Sequence, residues 1–344
     1  MPMRPARCTL RSMTEEHFDV VVIGGGAAGL SAALILSRSR RSVLVVDAGD
    51  PRNAPAGHVH GYLGREGTPP HELIEIGGDE VRSYGGEIRS GRVVEITGRR
   101  GDFAVALEDG ATVHARRLVV ATGLVDVLPD IDGIGDRWGR DVLHCPYCHG
   151  WEVRDRRVGV IASPLMPTHQ AQLFRQLTDR VTLFVAGAEL TDEQRHGLLA
   201  RGIRIVEGKV AAVEVADDVL TGVRLVDGAV IPLDALVVAT RMLARAEILE
   251  RLGAEMTDTP FGRHVTTGPM GATTVPGVWV AGNVANPMAQ VVIAAGEGTM
   301  TGAVVNADLV QEEIADAREQ LDSAEPVHGY VTVCQQPTSS SSPT

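Results

Sequence analysis

Short apolar runs that end at glycine alternate along this chain with longer stretches in which small apolar residues recur at helical spacing. Phe18-Asp-Val-Val-Val-Ile23 is such a run, the pattern of a strand buried on both faces. Ala27 to Ser39 has helical character and Ser42-Val-Leu-Val-Val-Asp47 is the next apolar run, so the chain opens on a βαβ unit. Asp109-Gly110 lies between Ala104–Leu107 and Thr112–His114, which predicts a hairpin, and Arg117 to Gly123 is a further buried strand stopped by glycine. Its Leu-Val-Val-Ala-Thr core recurs at Leu236–Thr240, and the stretch between the two copies is about one nucleotide-binding domain long. Within that stretch Arg157 to Pro167 reads as a strand entering a helix, with Val181–Phe184 as the next strand. Beyond it, Val278–Asn283 is a strand and Gln290–Leu309 a long helix of small residues, suited to close packing on a cofactor domain.

These elements predict an α/β fold with two Rossmann-like nucleotide-binding domains of the three-layer ββα type, the second inserted in the first. The first would span 17–124 and 246–318, and the insert 125–245. Residues 1–16 show no periodicity and include Met13 as a second start; the stretch 319–344 turns polar from about Gln320 and ends in Ser, Pro and Thr. Such composition cannot bury enough apolar surface to fold, so both ends are expected to be disordered.

The chain's 344 residues allow two cores of ordinary size. A net charge of −12 argues against nucleic acid and anionic membrane and points to small molecules or proteins as partners. All basic residues except Lys209 are arginine, a mark of a GC-rich genome more than of a function. No apolar run approaches the ~20 residues of a membrane span, and none follows the N-terminal arginines as a signal peptide would, so a cytoplasmic location is expected. Four cysteines are too few for a disulfide scaffold. Cys8 and Cys334 fall in the polar ends and read as incidental thiols.

Gly24-Gly25-Gly26-Ala27-Ala28-Gly29 fits G-x-G-x-x-G directly after a strand and at the start of a helix, with Asp47, Ala48 and Gly49 closing the next strand. Glycines permit the tight turn and the approach of a pyrophosphate, and the acid accepts from a ribose hydroxyl. The motif alone does not separate FAD from NAD.

His144-Cys145-Pro-Tyr-Cys148-His149 carries the second chemistry. Two intervening residues let one sulfur reach the other across a turn, and a helix N-terminus with flanking histidines lowers a thiol pKa. Cys-x-x-Cys-His also matches c-type haem attachment, which requires export, and a zinc site, which requires a second ligand pair at suitable spacing; no metal is expected. Buried, inert cysteines are the bland alternative, and prolines and histidines are poor core filler. For His144 a structural and a catalytic role stand equally.

With Ala121-Thr122-Gly123 and Gly277-Val-Trp-Val-Ala-Gly282-Asn283-Val284 followed by Met288-Ala-Gln290, these motifs resemble the low-molecular-weight thioredoxin reductase family over roughly residues 18 to 315. The resemblance implies FAD in the first site, Gln290 and Val291 beside the flavin ring, Cys148 facing the flavin, Cys145 exchanging with substrate, and a homodimer. Asn283 replaces the family's acid in the Ala-Gly-Asp segment, and His149 replaces its acidic residue after the second cysteine, as a candidate proton shuttle. Asp50-Pro-Arg52-Asn53 and His58-Val-His60 resemble the loop that covers FAD in the branch that oxidises dithiols.

One feature of the reductases is absent. Ala162-Ser-Pro-Leu-Met-Pro167 falls where they carry a glycine-rich loop for NADPH, and Val185-Ala-Gly-Ala188 falls where they carry arginines for its 2′-phosphate. Pro164 and Pro167 have no N–H to offer. The dithiol oxidases of gliotoxin and holomycin type share both losses and return electrons to oxygen. The expected function is therefore an FAD-dependent dithiol oxidase of antibiotic biosynthesis, acting on a small dithiol with O2 reduced to H2O2. The alternatives are a disulfide reductase using NADPH or ferredoxin, and a flavin redox sensor or electron-transfer partner.

Overall fold

The computed structural model describes residues 16–163 and 165–323, so the predictions for Met13, Cys8, Cys334, Pro164 and the two chain ends beyond this range lie outside the described residues. The first sheet runs Glu87–Ser90, Val43–Asp47, Glu16–Ile23, Thr112–Val120, Asp102–Leu107, Val93–Arg99, with Val278–Val280 also paired to Thr112–Val120. The predicted hairpin strand Thr112–His114 and the strand at Arg117 are one element. Its first part pairs antiparallel with Phe103–Ala106, and its second part runs parallel to Val278–Val280. The polar His114 and Arg116 that divide the apolar pattern sit on this continuous strand, half-buried.

Val20 and Val22 pack on the helix side of this sheet and Val21 and Ile23 on the hairpin side, which is why the strand reads as an unbroken apolar run. The helix Ala27–Arg38 lies against Val291–Ser323. Contact is backbone to backbone: a Cβ at Gly298 would stand 1.9 Å from the carbonyl oxygen of Ala28, and one at Gly302 2.7 Å from that of Ala32. The small residues of the late helix have this packing as their cause. That helix begins one residue after the predicted Gln290 and continues to Ser323, through the polar stretch from Gln320 that was expected to be unstructured. Salt bridges from its Asp308 and Glu312 to Arg117, a fully buried arginine, tie its middle to the sheet.

The insert holds a five-stranded parallel sheet, in the order Arg204–Val206, Val181–Phe184, Val158–Ile161, Ala235–Val237, Val142–Leu143, and a three-stranded antiparallel sheet over Val210–Pro232. The two crossings between the halves, Leu124–Val127 and Arg241–Ala244, pair with each other antiparallel and extend into a small sheet with Gly262–Val265 and Met256–Thr259. This is the expected architecture of two Rossmann-like units. No helix among the described residues is long and apolar enough to cross a membrane.

Candidate active site

A cavity of about 1260 Å³ runs from the end of Glu16–Ile23 to the cysteine pair. At its inner end Gly24 has φ +104°, and a Cβ there would lie 2.4 Å from the Ala121 carbonyl oxygen, so this turn requires glycine. Gly29 sits beneath it and does not line the cavity. Gly26 differs from both, because a Cβ there would meet nothing within 4 Å. It caps the helix Ala27–Arg38 with bare backbone facing open space, a cradle that fits a pyrophosphate. The Gly25 N–H donates to Asp47 Oδ1 at 2.8 Å, which leaves the other carboxylate oxygen for a ribose hydroxyl. Gly24, Gly25, Gly26, Ala27, Ala28, Ala48, Gly49, Asn53, Ala121, Thr122, Gly123, Gly282 and Val291 all line this space. The residues present fit a dinucleotide.

At the other end the sequence Cys-Pro-Tyr-Cys forms a single helical turn, Pro146–His149, capped by Cys145. Proline suits the first helical position, where its missing N–H leaves nothing unpaired. The Cys145 carbonyl accepts from the Cys148 and His149 N–H groups, and the two sulfurs stand 2.6 Å apart. The hydrogen bond from the Cys148 thiol, against burial, and the N–H groups of Tyr147 and Cys148 pull the Cys145 thiol down to about 6, with the nearby His144 adding to the effect. The same shared hydrogen bond, then burial, pushes Cys148 up; Gln290 and Arg52 oppose this weakly. Of the reduced pair, Cys145 is the thiolate and Cys148 keeps the proton.

Two imidazoles flank the pair. His144 Nδ1 lies 3.0 Å from the Val238 carbonyl oxygen, so Nδ1–H donates and Nε2 stays bare, while the Gln170 amide donates to the His144 carbonyl at 2.8 Å. Burial lowers the pKa of His149, Glu152 partly offsets this, and His60 adds to it, so the ring is neutral at pH 7. Its Nε2 is buried with no hydrogen-bond partner among the described residues. His149 lines the cavity, and a buried neutral imidazole with an unengaged nitrogen is a candidate base.

The loop residues singled out from the sequence line the cavity, but their polar ends are engaged by protein. Arg52 holds Asp126 through Nε at 2.6 Å and Nη2 at 2.8 Å, and its Nη1 reaches Asn283 Oδ1 at 3.3 Å. Asp126 also accepts from Thr240 at 2.7 Å. Burial alone would raise the Asp126 carboxyl, but hydrogen bonds and charge from Arg52, with Thr240, hold it below the usual carboxylate range. His60 stands between Glu66 at 2.6 Å and Glu152 at 3.4 Å. Asn283, in place of the acid, donates to the carbonyls of Asn286 and Ala289 at 2.9 Å each and so shapes the turn before the late helix. Gln290 immediately precedes that helix, its carbonyl accepting from the Ala294 N–H, and its amide stands 3.8 Å from Cys148 Sγ.

Sequence reasoning missed Asp126, Thr240 and Glu152. Asp126 and Thr240 sit in or beside the crossing strands, and an aspartate between valines carries no local signal of an arginine 74 residues away.

A glycine-turn cradle joined by one cavity to a Cys-x-x-Cys pair defines a flavin-type disulfide oxidoreductase. The chain belongs to the pyridine nucleotide-disulphide oxidoreductase family, which matches residues 18–298. It is 34% identical to thioredoxin reductase sirT of Leptosphaeria maculans over 88% of this chain and 98% of that protein. It is 31% identical to thioredoxin reductase tcpT of Claviceps purpurea over 87% of this chain and 96% of that one. Among solved structures it is similar to HlmI, at 45% identity and a TM-score of 0.82 over 89% of this chain and 96% of HlmI. An oxidoreductase from Agrobacterium tumefaciens follows at 38% and 0.81, over 86% of this chain and 99% of that one. FAD is the cofactor of this family, and the cradle at Gly26 with the Asp47 carboxylate is where it fits.

Proposed function

We propose that the protein is a dithiol oxidase that closes an intramolecular disulfide in a small natural-product dithiol, with O2 as the final acceptor. One observation carries this reading. The turn of the insert where a second nucleotide would bind carries the side chains of Leu165 and Met166, both about half exposed, and the helix starts only at His169 and lasts six residues. Backbone donors for a pyrophosphate are not gathered there.

One substrate sulfur, as thiolate, attacks Cys145 Sγ, which breaks the Cys145–Cys148 disulfide and forms a mixed disulfide. The second substrate sulfur then attacks the first, displaces Cys145 as thiolate and leaves as the cyclic disulfide. His149 Nε2 takes up the proton that the substrate thiol gives up, since its ring is neutral and its nitrogen free. The amides of Tyr147 and Cys148 stabilise the departing Cys145 thiolate. FAD, held at the Gly26 cradle and Asp47, would supply a two-electron acceptor for the reduced cysteine pair that oxygen can reoxidise. In sum, R(SH)2 and O2 give the disulfide and H2O2. We take the working assembly to be a homodimer in the cytoplasm, with no nucleic acid or membrane partner.

The test is anaerobic titration of the yellow protein with NADPH and then with dithiothreitol, following flavin absorbance. Bleaching by dithiol alone, with colour and H2O2 on admission of air, supports the oxidase. Prompt bleaching by NADPH returns the protein to the reductases.

A further inference from the structure

We propose that the late helix Val291–Ser323 pairs antiparallel, across a two-fold axis, with the same helix of a second copy, and that this contact backs the turn on which the cofactor site is built. The inference deepens the homodimer taken above by naming its surface and register, and it stands or falls apart from the chemistry of the cysteines.

This helix has two apolar faces. One, with Ala295, Gly298, Gly302, Val305 and Leu309, is buried on its own domain. The other follows a heptad: Ile293, Met300, Ala307, Ile314 and Leu321 recur every seventh residue, with Gly296, Ala303, Val310 and Ala317 between them. Each of these positions is exposed, the large side chains from 37% at Val310 to 75% at Leu321, and every charged residue of the helix lies off this line. A 3.5-residue repeat held over this length is the period of a seam between two helices. The end of the helix points the same way. Its last buried residue is Leu309, and beyond Glu313 no side chain is hydrogen-bonded or ion-paired to another element among the described residues. Roughly three turns of helix left unpacked in water are marginal, so Ile314, Ala317 and Leu321 call for a surface that the described part of this chain does not supply.

Size and charge select a second copy as that surface. In the antiparallel register that sets Gly296 opposite the partner's Leu321, Met300 meets the partner's Ala317, Ala303 the partner's Ile314 and Ala307 the partner's Val310, and the two-fold axis repeats each pair. Every large side chain in this overlap faces a small one. A Cβ at Gly296 would meet nothing within 4 Å, so a hole stands open for the leucine. The overlap is ~39 Å long. In the same register Arg318, the only basic residue of the helix and one with no ion pair among the described residues, comes within a turn of the partner's Glu297. Glu297 accepts from the Gly282 N–H at 2.9 Å and from Asn286 Nδ2 at 2.6 Å, and Gly282 lines the cavity. A parallel pair would instead set Gly296 on Gly296, which leaves a gap, and Arg318 on Arg318, which repels.

The test is sedimentation velocity of the full-length holoprotein. The wild type should run as a dimer. Ala303→Glu and Ala307→Glu put a charge on positions that are exposed in the single chain but dry in the seam, so each variant should stay yellow and folded by circular dichroism and run as a monomer. Ala315→Glu, exposed and off the seam, should run as the wild type. Arg318→Glu should weaken the dimer by up to ~5-fold, the scale of one exposed ion pair. Register is read by disulfide trapping. Positions 300 and 317 lie ~25 Å apart within one helix, so a bond between them joins two chains. Met300→Cys with Ala317→Cys should give that bond by mass spectrometry, and Met300→Cys alone should not link to itself. A monomeric wild type, a dimer indifferent to both glutamates, or self-linking of Met300→Cys overturns the proposal. A wild type that oxidises dithiol as a monomer sinks the seam and leaves the oxidase. A dimer broken by Ala303→Glu that no dithiol bleaches does the reverse.

Discussion

Two strand-to-helix turns hold equivalent places in the two halves of this molecule, and only the first enters its helix through glycine. After Ile23 the chain turns through glycines and is helical by Ala27, with Gly26 open to the cavity. After Ile161 the helix is delayed to His169, and the side chains of Ser163 and Met166 face the cavity instead. The next strand ends differently too: Asp47 closes one, while the other ends in a turn with Ala186 at φ +53° and Gly187 at φ +91°. Yet the insert keeps its sheet, because Val158, Val160, Leu183 and Val237 are buried and none of them belongs to the turn. A nucleotide fold is held by its strands, so it persists after the nucleotide site is gone.

The strongest way to break this comparison is to make the first turn resemble the second. A Glu at Gly26 has space for its Cβ but sets carbon and negative charge where a pyrophosphate belongs. Gly26→Glu should give folded, colourless protein with no dithiol turnover. Far-ultraviolet circular dichroism should be unchanged, with thermal stability reduced by the lost cofactor linkage, about 2.7 kcal/mol where free cofactor stands at 100 Kd. A yellow variant would show that Gly26 is not the cradle.

Much of this was legible locally. The strands of the first sheet are apolar runs, and both the glycine turn and the cysteine pair are contiguous in the chain, so their chemistry needed no tertiary knowledge. What escaped was created by distance. Thr112–Val120 reads as two strands because its polar middle faces the salt bridges of a late helix, with Arg116 reaching Glu312 196 residues further on. The polar end of that helix reads as disorder by composition alone, although it continues a helix packed through Gly298 and Gly302. Arg52 and His60 read as cofactor contacts from a loop. Their carboxylate partners Asp126 and Glu152 come from other elements, and the sequence has no pattern that joins them.

A second test asks what the open end of the cavity needs beyond space. His149→Gln keeps shape and removes the base, and general-base loss should slow dithiol-dependent bleaching by ~10²–10⁴-fold. FAD content should stay at wild-type level. Loss of the cofactor together with the rate would make His149 a binding residue instead.

Third, the one-turn helix at Cys145 does for a sulfur what the helix at Gly26 does for a phosphate. In the reduced protein Cys145 should react with iodoacetamide well ahead of Cys148. Its rate should rise with pH through about 6, because deprotonation gives the reactive thiolate. Mass spectrometry of the trapped protein identifies the site, and faster labelling of Cys148 would reverse the assignment of the two sulfurs.

The finest difference between the two turns is the cover. The loop over the first site reaches the insert through His60, which stands between Glu66 and Glu152, and both His60 and Glu152 act on His149. Their influences have opposite sign: Glu152 favours the charged His149 ring and raises its pKa, and His60 lowers it. Since His149 works as a neutral base, activity falls as pH drops through its pKa. Glu152→Gln should therefore move the acid limb of the bleaching profile to lower pH, and His60→Gln should move it higher, with maximal rates changed only by the small factors expected of part-exposed ion pairs. Shifts in the same direction would mean that the two residues act by ordering the loop, and that the charge on His149 is set by burial alone.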